Sequence, residues 1–580
     1  MGVTIERRPV IADLEFPDQL HPLLKRIYRQ RQLGSPEELD LGFSKLLPPD
    51  KLKGMTAATG LLEQALREDW RILIVADFDA DGATSCAVVM QALRQMGATH
   101  VDYIVPNRFD YGYGLTPEIV ALAIQRDPHL IITVDNGISS IDGVEAALAA
   151  GVRVLVTDHH LAPEQLPRAD AIVNPNQPGC DFPSKSIAGV GVIFYVMLAL
   201  RARLREQGWF AEKAIAEPQL AELLDLVALG TVADVVALDH NNRILVDAGL
   251  RRIRAGRSRP GIMALLQVSN RQAQNLSASD LGFSLGPRLN AAGRLDDMST
   301  GIECLMATDA LGAERLARQL DGMNQDRKQI ESEMKEQAFA ILDQLDLADQ
   351  QLPAALSLFD PRWHQGVVGI LASRVKDRVH RPVIAFAEVD ESGSGELKGS
   401  ARSIKGFHIR DALDAVATRH PGLVNKFGGH AMAAGLSLPR DRFEEFSQAF
   451  ADQAQRMLSE ELLSARVYSD GEIAAEDLQL QTAEMLRQAG PWGQEFPEPQ
   501  FDGRFKILQQ REVGKGHLKL LLCPPDNPQH CLDAIAFNVA AEDWPAADAS
   551  EIDLVYRLER NEFRGQCSLQ LMVEHIIASR

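Results

Sequence analysis

Paired cysteines, long apolar runs and positive charge are all scarce in this sequence. Its 580 residues include six cysteines, and no two of them have a Cys-x-x-Cys spacing. Neither a disulfide framework nor a zinc knuckle is indicated, so we expect a protein of the reducing cytosol. The cysteines are Cys86, Cys180, Cys304, Cys523, Cys531 and Cys567.

No apolar run is long enough to cross a membrane. The longest, Gly189 to Leu200, ends at Arg201 and is shorter than the roughly 20 residues that a bilayer requires. It is typical of a buried helix. The first ten residues contain three charged side chains and no apolar core, so we expect no secretory signal and a cytoplasmic enzyme.

Positive charge is in deficit, because the formal net charge is −20. A polyanion such as DNA would not bind such a chain indiscriminately, since neutralised phosphates supply most non-specific affinity. One segment, Arg243 to Arg294, carries nine arginines against two aspartates. It is either a solvated face or a basic path that confines nucleic acid to one groove.

Carboxylates are concentrated directly after one predicted strand, and this site is the starting point for the prediction of function. The apolar run Ile72 to Ala76 is typical of a buried parallel strand, and Asp77, Asp79 and Asp81 follow it before Gly82. Ligands bind at the carboxyl ends of such strands. Crowded carboxylates repel one another unless they are protonated or bind a divalent cation, and hard oxygen ligands suit magnesium or manganese. An acidic surface turn is the alternative.

The same arrangement recurs twice downstream, with a helical segment between the two strands. Leu130 to Val134 ends in Asp135, and Val152 to Thr157 ends in Asp158-His159-His160. A later helix closes with Asp234. This alternation predicts an α/β fold with a doubly wound parallel sheet. The candidate ligands, more than one ion needs, are Asp77, Asp79, Asp81, Asp135, Asp158, His159, His160 and Asp234.

Length and composition shifts predict several further regions. Residues 1–50 are a proline-rich N-terminal extension, and 51–305 form the metal-binding domain. A connector helix over 306–350 leads to a second α/β domain over 351–460. Five predicted strands over 465–580 indicate a small closed barrel of the OB type, whose first hairpin could track a nucleic-acid backbone.

Several motifs suit phosphate or base binding, although each also has a structural interpretation. A long loop contains Arg108 and Tyr113, which could bind a phosphate and stack on a base or could simply pack the loop. A glycine-rich segment holds Arg288, and His364 opens a helix whose N-terminus suits anions. Two more motifs are Gly399-Ser400-Ala401-Arg402-Ser403 and Gly428-Gly429-His430. Taken alone, His430 is more typical of a buried, hydrogen-bonded residue.

The ordered motifs Asp-x-Asp-x-Asp-Gly, Asp-Asn-Gly, Asp-His-His and Thr-Val-Ala-Asp resemble those of the DHH phosphoesterase superfamily. From about residue 45 to the C-terminus, the chain is most similar to bacterial exonucleases that degrade single-stranded DNA from 5′ to 3′. The resemblance implies a DHH domain, a DHH-associated domain and the barrel. It also implies that Ser400 and Arg402, with Arg288, hold a terminal 5′-phosphate, that Ser403 belongs to the same substrate-binding segment and that His430 contacts the scissile region.

Hydrolysis of a phosphodiester needs charge neutralisation and an activated water, which two divalent cations about 4 Å apart supply. We expect two Mn²⁺ or Mg²⁺ ions with Asp135 as the bridging ligand. Asp77 and Asp79 would bind one ion, and Asp81, His159 and Asp234 the other. Asp158 would orient a histidine, and His160 would face the substrate phosphate.

The predicted function is a metal-dependent exonuclease that releases 5′-mononucleotides from single-stranded DNA in recombination and repair. One alternative is a phosphodiesterase for short or cyclic oligonucleotides, and another is a DNA-binding relative without catalysis. Single-strand-binding protein and a helicase are candidate partners beside the single-stranded DNA itself, although the sequence does not identify them. We expect a monomer with no membrane association.

Overall fold

The structure is a computed structural model of the chain. It describes residues 4–10, 14–107, 114–347, 352–389, 395–459, 462–463, 466–514, 516–537, 539, 544–546, 549–563 and 565–579. No described helix is long and apolar enough to cross a membrane.

The N-terminal region is docked onto residues from the far end of the chain. Its strand β1 (Thr4–Arg7) pairs in parallel with Arg466–Ser469, and helix α1 (Pro22–Gln30) follows. Next to α1, the buried Arg31 forms a two-point ion pair with Asp470, with nitrogen–oxygen distances of 2.6 and 2.9 Å. A bidentate pair in this environment fixes the relative position of the two segments.

A five-stranded parallel sheet forms the centre of the first domain, in the order β3-β2-β4-β5-β6. Its strands are β2 (Ile72–Ala76), β3 (Val101–Ile104), β4 (Leu130–Val134), β5 (Arg153–Thr157) and β6 (Ala171–Val173). All five residues of β2 and of β4 are buried, because helices cover both faces of the sheet. The predicted parallel sheet is thus confirmed, whereas β3 and β6 had not been predicted.

Twelve helices of the described residues surround and extend this sheet. Around the strands lie α2 (Met55–Arg67), α3 (Ala80–Gln95), α4 (Pro117–Ile124), α5 (Ile141–Ala149), α6 (Gly189–Glu206) and α7 (Trp209–Glu212). Beyond them lie α8 (Leu224–Ala233), α9 (His240–Arg254), α10 (Pro260–Val268), α11 (Ala278–Asp280), α12 (Gly286–Leu295) and α13 (Ser299–Met306). The predicted apolar helix corresponds to α6, which is buried along its first half.

One uninterrupted helix, α14 (Ala310–Leu347), joins the first domain to the second. Its 38 residues contain no proline, and at 1.5 Å per residue they span about 57 Å. The helix packs against α10, α12 and α13 of the first domain and against α15 (Val368–Val379) of the second. It therefore holds the two domains side by side, as the predicted connector helix would.

The second domain has a mixed five-stranded sheet in the order β10-β11-β9-β8-β7. Its strands are β7 (Leu356–Phe359), β8 (Val383–Glu388), β9 (Glu396–Arg402), β10 (Lys426–Gly429) and β11 (Ala433–Pro439). Helices α16 (Ile409–Arg419) and α17 (Phe443–Met457) pack with α15 around it. Buried and half-buried residues alternate along β9, so that one face of this strand is left for contacts outside the core.

A closed five-stranded barrel completes the chain, in the order β13-β14-β15-β17-β16. It follows β12 (Arg466–Ser469) and α18 (Leu480–Gln488). The barrel strands are β13 (Phe501–Val513), β14 (His517–Cys523), β15 (Leu532–Ala536), β16 (Glu551–Phe563) and β17 (Gln566–Ser579). The predicted OB-like barrel is confirmed, with β16 and β17 longer than predicted because they form one extended hairpin.

Candidate metal centre

The three aspartates after β2 are brought together because the chain turns directly into α3. Asp79 caps that helix, and its Oδ1 accepts hydrogen bonds from the backbone N–H groups of Asp81 and Gly82 at 2.9 and 3.0 Å. Asp81 is fully buried. Its two oxygens accept from Gly189 and Val190 at the N-terminus of α6, at 2.7 and 2.8 Å.

Asp135 follows β4 in a left-handed backbone conformation, with a φ of 63°. Such a conformation is unfavourable for most residues and is maintained only by its surroundings. The buried Asn136 fixes this turn by donating from Nδ2 to the carbonyl oxygens of Val75 and Val134, at 3.1 and 2.9 Å. Space for the Asp135 side chain exists because residue 189 is glycine, where a Cβ would lie 2.5 Å from Asp135 Oδ1.

The histidines after β5 are oriented by Asp158. The Oδ1 of this buried carboxylate lies 2.7 Å from His160 Nδ1 and accepts from the backbone N–H groups of both histidines. Its Oδ2 accepts from the backbone of Ile138 at 2.9 Å. Asp158 therefore contacts the imidazole ring of His160 and the backbone of both histidines; the sequence had predicted that it would orient one histidine.

His159 lies at the centre of the acidic residues. Its Nε2 is 3.1 Å from Asp135 Oδ1, 3.4 Å from Asp234 Oδ2 and 4.0 Å from Asp81 Oδ2. Among the described residues, three overlapping groups have ligand atoms within 4.8 Å of one another. They are Asp77, Asp79 and Asp135; Asp81, His159 and Asp234; and Asp135, His159 and His160.

Burial and mutual repulsion make this cluster costly without a cation. Burial, and after it the charge of a neighbouring carboxylate, raises the pKa values of Asp77, Asp81 and Asp135 well above the ordinary aspartate value. The pKa of Asp234 is also raised by burial, although His159 opposes the shift. Several carboxyl groups within a few ångströms of one another cannot all ionise cheaply.

His160 differs from these carboxyl groups, because its surroundings favour the charged form of the side chain. Burial lowers the pKa of His160, but the hydrogen bond and the charge of Asp158 outweigh that effect and raise the pKa to about 9. Burial raises the pKa of Asp158, but the partner imidazole leaves it below the ordinary value. This pair is therefore ionised at neutral pH.

The donor atoms of the cluster fit divalent cations. The first two of the three ligand groups together contain five carboxylates and one imidazole, and hard oxygen donors with one nitrogen suit Mn²⁺ or Mg²⁺. A buried set of carboxylates with so little compensating positive charge does not help to hold the fold together, because apolar packing already does so around it.

The cluster opens into a cleft of about 1040 Å³ between the first and second domains. Asp77, Asp79 and His160 line one side, and Ser400, Arg402 and His430 line the other. Arg402 Nη1 donates to Ser400 Oγ at 3.1 Å, so these two side chains form one unit on β9. Partial desolvation within the cleft, and then the charge of His160 across it, lower the pKa of His430.

The cleft also has basic residues outside the predicted set of substrate-binding residues. Lys398, Arg410 and Lys426 line the wall of the second domain, and Arg294 lies between the two domains. The signal for Lys398 was present, because Lys398, Ser400 and Arg402 alternate along β9 and share its exposed face. Arg410 lies on the first turn of α16 and Lys426 opens β10, and neither stands in a recognisable motif.

Some predicted substrate-binding residues lie elsewhere. Arg288 points to α14, where its guanidinium is 2.8 Å from Asp321, and does not line the cleft. Ser403 is buried, and its hydroxyl donates to the carbonyl oxygen of Phe407 at 2.6 Å. His364 contributes indirectly, because its Nδ1 accepts from the backbone of Gly366, which does line the cleft. Arg108 and Tyr113 lie outside the described residues.

The arginine-rich segment 243–294 is neither a solvated face nor a continuous basic path. Arg243 is buried against Glu38, and Arg259 pairs with the buried Asp225. Arg251 pairs with Asp247 and Arg271 with Asp280. Most of these charges are neutralised within the protein, so the segment as a whole cannot serve as a DNA track.

A parallel sheet whose carboxyl edge carries this cluster, facing a second α/β domain, is the architecture of the DHH phosphoesterases. Three family models match the chain: the N-terminal domain of the DHH family over residues 71–231, the DHHA1 domain over 351–456 and the RecJ OB domain over 469–575.

Relatives that match the chain along its full length show which family of DHH phosphoesterases it belongs to. The chain is 58% identical over 574 residues to the single-stranded-DNA-specific exonuclease RecJ of Dickeya dadantii, with 99% of each chain covered. It is 54% identical to the Escherichia coli protein of the same name, with the same coverage. The chain belongs to the RecJ family.

Solved structures agree with these sequence matches. The crystal structure of RecJ in complex with Mn²⁺ from Thermus thermophilus matches with a TM-score of 0.78 and 29% identity. The match covers 96% of this chain and 76% of that one. A second structure, of an exonuclease RecJ bound to manganese, matches at 34% identity with a TM-score of 0.58 and covers 71% of this chain and 96% of that one. The predicted family is thereby confirmed.

Proposed function

We propose that this protein is a metal-dependent exonuclease that degrades single-stranded DNA from its 5′ end and releases 5′-mononucleotides. The observation that carries the proposal is the cleft, in which a buried cluster of metal-type ligands faces a cationic wall. Acids alone would repel DNA, and cations alone would bind it without chemistry. The two together can hold a phosphodiester against bound cations.

The ligand groups support two ions. Asp77 and Asp79 would hold one, and Asp81, His159 and Asp234 the other, with Asp135 shared because it lies close to both groups. When bound, the cations activate water and neutralise charge on the phosphoryl oxygens. Asp81 would be the most rigid ligand, because both of its oxygens also accept backbone hydrogen bonds from α6.

His160 supplies a fixed positive charge beside the metals. With its pKa near 9 it remains protonated at neutral pH and can donate from Nε2 to a phosphate oxygen, while Nδ1 is engaged by Asp158. Asp158 keeps the imidazole in one orientation, so the donor is in place before the strand arrives.

The opposite wall would hold the end of the strand. Arg402 and Ser400 form a phosphate cradle, and the Cβ-free Gly369 lies directly against them. We assign Arg294, in place of Arg288, as the arginine of the first domain that faces this cradle, because it lines the cleft. A site built for a terminal 5′-phosphate would explain both the polarity and the product.

The sequence relatives favour this function over the alternatives. Their similarity extends over the barrel as well as the two α/β domains, and a phosphodiesterase for short or cyclic oligonucleotides would not need a barrel. All eight candidate residues lie in the cluster or directly against it, which argues against a relative without catalysis. Single-strand-binding protein and a helicase are candidate partners, since the substrate must be made single-stranded, and we propose a monomer.

Nucleotide release from 5′-labelled and 3′-labelled single-stranded DNA tests the proposal, with Mn²⁺, Mg²⁺ or a chelator present. We expect metal-dependent release of the 5′ label as a mononucleotide and its loss in Asp135→Ala. The matched control is Asp142→Ala, which removes an exposed carboxylate outside the three ligand groups. Release of the 3′ label first, or activity in Asp135→Ala equal to that of the control, would contradict the proposal.

A further inference from the structure

Two asparagines, Asn174 and Asn176, follow β6 at the sheet edge that carries the metal cluster. In the sheet β6 lies beside β5, with Val173 opposite Thr157, so the asparagines come at the same level as Asp158 and the two histidines. Asn174 is fully buried and Asn176 is half-buried. Neither side chain lines the cleft or belongs to one of the three ligand groups, so any effect on bound cations must pass through other residues.

Asn174 uses both ends of its side-chain amide. Its Oδ1 accepts from the backbone N–H of Asn176 at 2.6 Å, and its Nδ2 donates to the carbonyl oxygen of His160 at 3.0 Å. The partners fix which amide atom is which, because a backbone N–H can only donate and a carbonyl oxygen can only accept. Asn174 therefore holds the main chain at His160 and also sets the position of the second asparagine.

Asn176 connects two parts of the metal centre. Its Nδ2 donates to the carbonyl oxygen of His159 at 2.6 Å and to that of Lys185 at 3.1 Å, so both protons of the amide nitrogen are used. Lys185 lies four residues before Gly189, whose N–H donates to Asp81 at the start of α6. One side chain thus links the main chain of a candidate ligand, His159, to the segment that supports another, Asp81.

The segment from 174 to 185 is itself tied down by hydrogen bonds. Lys185 Nζ donates to the carbonyl oxygen of Pro175 at 2.7 Å, which closes the segment into a loop. Gln177 Nε2 donates to two carbonyl oxygens that belong to neither histidine, those of Lys53 and Ile172, at 3.1 and 3.0 Å. The asparagines therefore act from a fixed base.

The ring of His159 is placed mainly through its main chain. Asp158 contacts the ring of His160 but reaches His159 only at the backbone N–H, at 2.7 Å. With Asn176 on its carbonyl oxygen, His159 is held at both polar groups of its backbone. This arrangement fixes the direction of its Cα–Cβ bond, and ligands held in this way keep a metal site within the narrow tolerance that it requires.

We propose that Asn174 and Asn176 are positioning residues of the metal centre. They set the main chain of the two histidines, and Asn176 also sets the distance between His159 and Asp81. The aspartates after β2 are held instead by their own turn into α3 and depend less on the asparagines. This inference rests on the proposed function, because it requires that the ligand groups bind cations.

Mn²⁺ binding to the metal-free chain tests the proposal without DNA, with free Mn²⁺ measured by electron paramagnetic resonance. The variants are Asn174→Leu and Asn176→Leu, which keep the size of the side chain and remove its hydrogen bonds. Asn176→Asp, which is polar but cannot donate, is a second variant should the apolar one not fold. The matched control is Gln177→Met, because it also removes two hydrogen bonds from this loop to carbonyl oxygens. Thermal melting in chelator would report any general loss of structure.

We expect each asparagine variant to bind Mn²⁺ about 10- to 100-fold more weakly than the unaltered chain, in line with the loss of supporting residues at other metal sites. Gln177→Met should stay within twofold. Binding of a 20-nucleotide oligo-dT in chelator should also stay within twofold in every variant, since neither asparagine lines the cleft.

Equal Mn²⁺ affinities in Asn176→Leu and Gln177→Met would overturn the proposal, because the loop as a whole and not the histidine contacts would then matter. Failure of the unaltered chain to bind Mn²⁺ would overturn both this inference and the proposed function. Mn²⁺ binding that is weakened by the asparagine variants, in a chain that releases no nucleotide, would support this inference and contradict the proposed function alone.

Discussion

The two sides of the catalytic cleft differ in both charge and burial. On the first domain, the metal-type ligands are mostly buried, and backbone hydrogen bonds from other elements hold several of them. On the second domain, Arg410, Lys426 and His430 are exposed, and no hydrogen bond of their side chains is described.

The two sides of the cleft therefore suit two different tasks, the binding of cations and the binding of the strand. A cluster that must hold cations within tenths of an ångström is set by a packed sheet edge and cannot adjust. A wall that must accept any sequence of bases benefits from long, exposed cations that can follow the backbone. Substitutions on the buried side should therefore lower kcat, whereas those on the exposed side should raise KM.

The largest effect should come from Gly189→Ala. The added Cβ would lie 2.5 Å from Asp135 Oδ1, so the carboxylate must move although residue 189 itself makes no contact with substrate. A displacement of about 1 Å is expected to lower kcat by a hundredfold or more. Steady-state kinetics would measure this against Gly322→Ala, a helical position with no atom within 4 Å of the added Cβ. Equal turnover in the two variants would show that Asp135 is not tightly constrained.

Removing the orienting carboxylate should have the next largest effect. Asp158→Asn should lower kcat about 10- to 100-fold, in line with the loss of such partners at other metal sites. It should also change the pH profile, because Asp158 is what raises the pKa of His160 from 6.5 to about 9. His160 is charged below its pKa, so the alkaline loss of activity should begin nearer 6.5 in the variant. If the unaltered chain and Asp158→Asn lost activity at the same alkaline pH, a role for the His160 charge would be excluded.

A conservative substitution on the second-domain side of the cleft should weaken the binding of substrate. Arg402→Lys keeps the charge but loses the planar fork, and we expect KM for a 5′-phosphorylated strand to rise about tenfold with kcat within twofold. The effect should disappear for a strand with a 5′-hydroxyl. Arg362→Lys, an exposed arginine paired with Asp360 in the same domain, is the control. A change in kcat alone would place Arg402 with the chemistry of the metal side.

The smallest effect concerns stability without metal. Burial raises the pKa of Asp135 in the folded state, so the favourable contribution of its neutral form is complete below about 3.8 and is lost as the pH rises toward the raised value. Asp135→Asn should therefore stabilise the metal-free protein by about 1 to 3 kcal/mol at pH 8 and have little effect at pH 4.

Calorimetry with chelator would measure this difference, and added Mn²⁺ should reverse the order of the two proteins. Asparagine tolerates the left-handed backbone at this position, so strain should not obscure the result. A variant less stable than the unaltered chain at pH 8 would show that the carboxylate cluster is not a source of repulsion.

The metal side could be predicted from the sequence because its signals are local. Apolar runs that end in acids identify the strands and the candidate ligands together, as with Asp77 and Asp135. The support for those ligands could not be predicted, since Asp81 is held by Gly189, more than a hundred residues away. Burial of Arg243 is a similar case, because its partner Glu38 belongs to the N-terminal extension.

The residues that face the metal cluster across the cleft were harder to predict, because they share no motif. Arg288 and Arg294 occupy one glycine-rich segment and cannot be distinguished until that segment is known to be the helix α12. On a helix they lie about 120° apart, so only one can face the cleft. Ser403 likewise follows Arg402 directly and points to the opposite face of the chain.

Pairing between β1 and β12 has a consequence for how the protein is made. The two strands are separated by about 460 residues, and Arg31 reaches its buried partner Asp470 over a similar distance. At 5–20 residues per second, the ribosome needs roughly half a minute to a minute and a half to cover that interval. For this time the first strand has no partner, whereas the metal-binding sheet can already assemble. The attachment of the barrel is therefore a late event in biosynthesis, and the catalytic edge is complete before it.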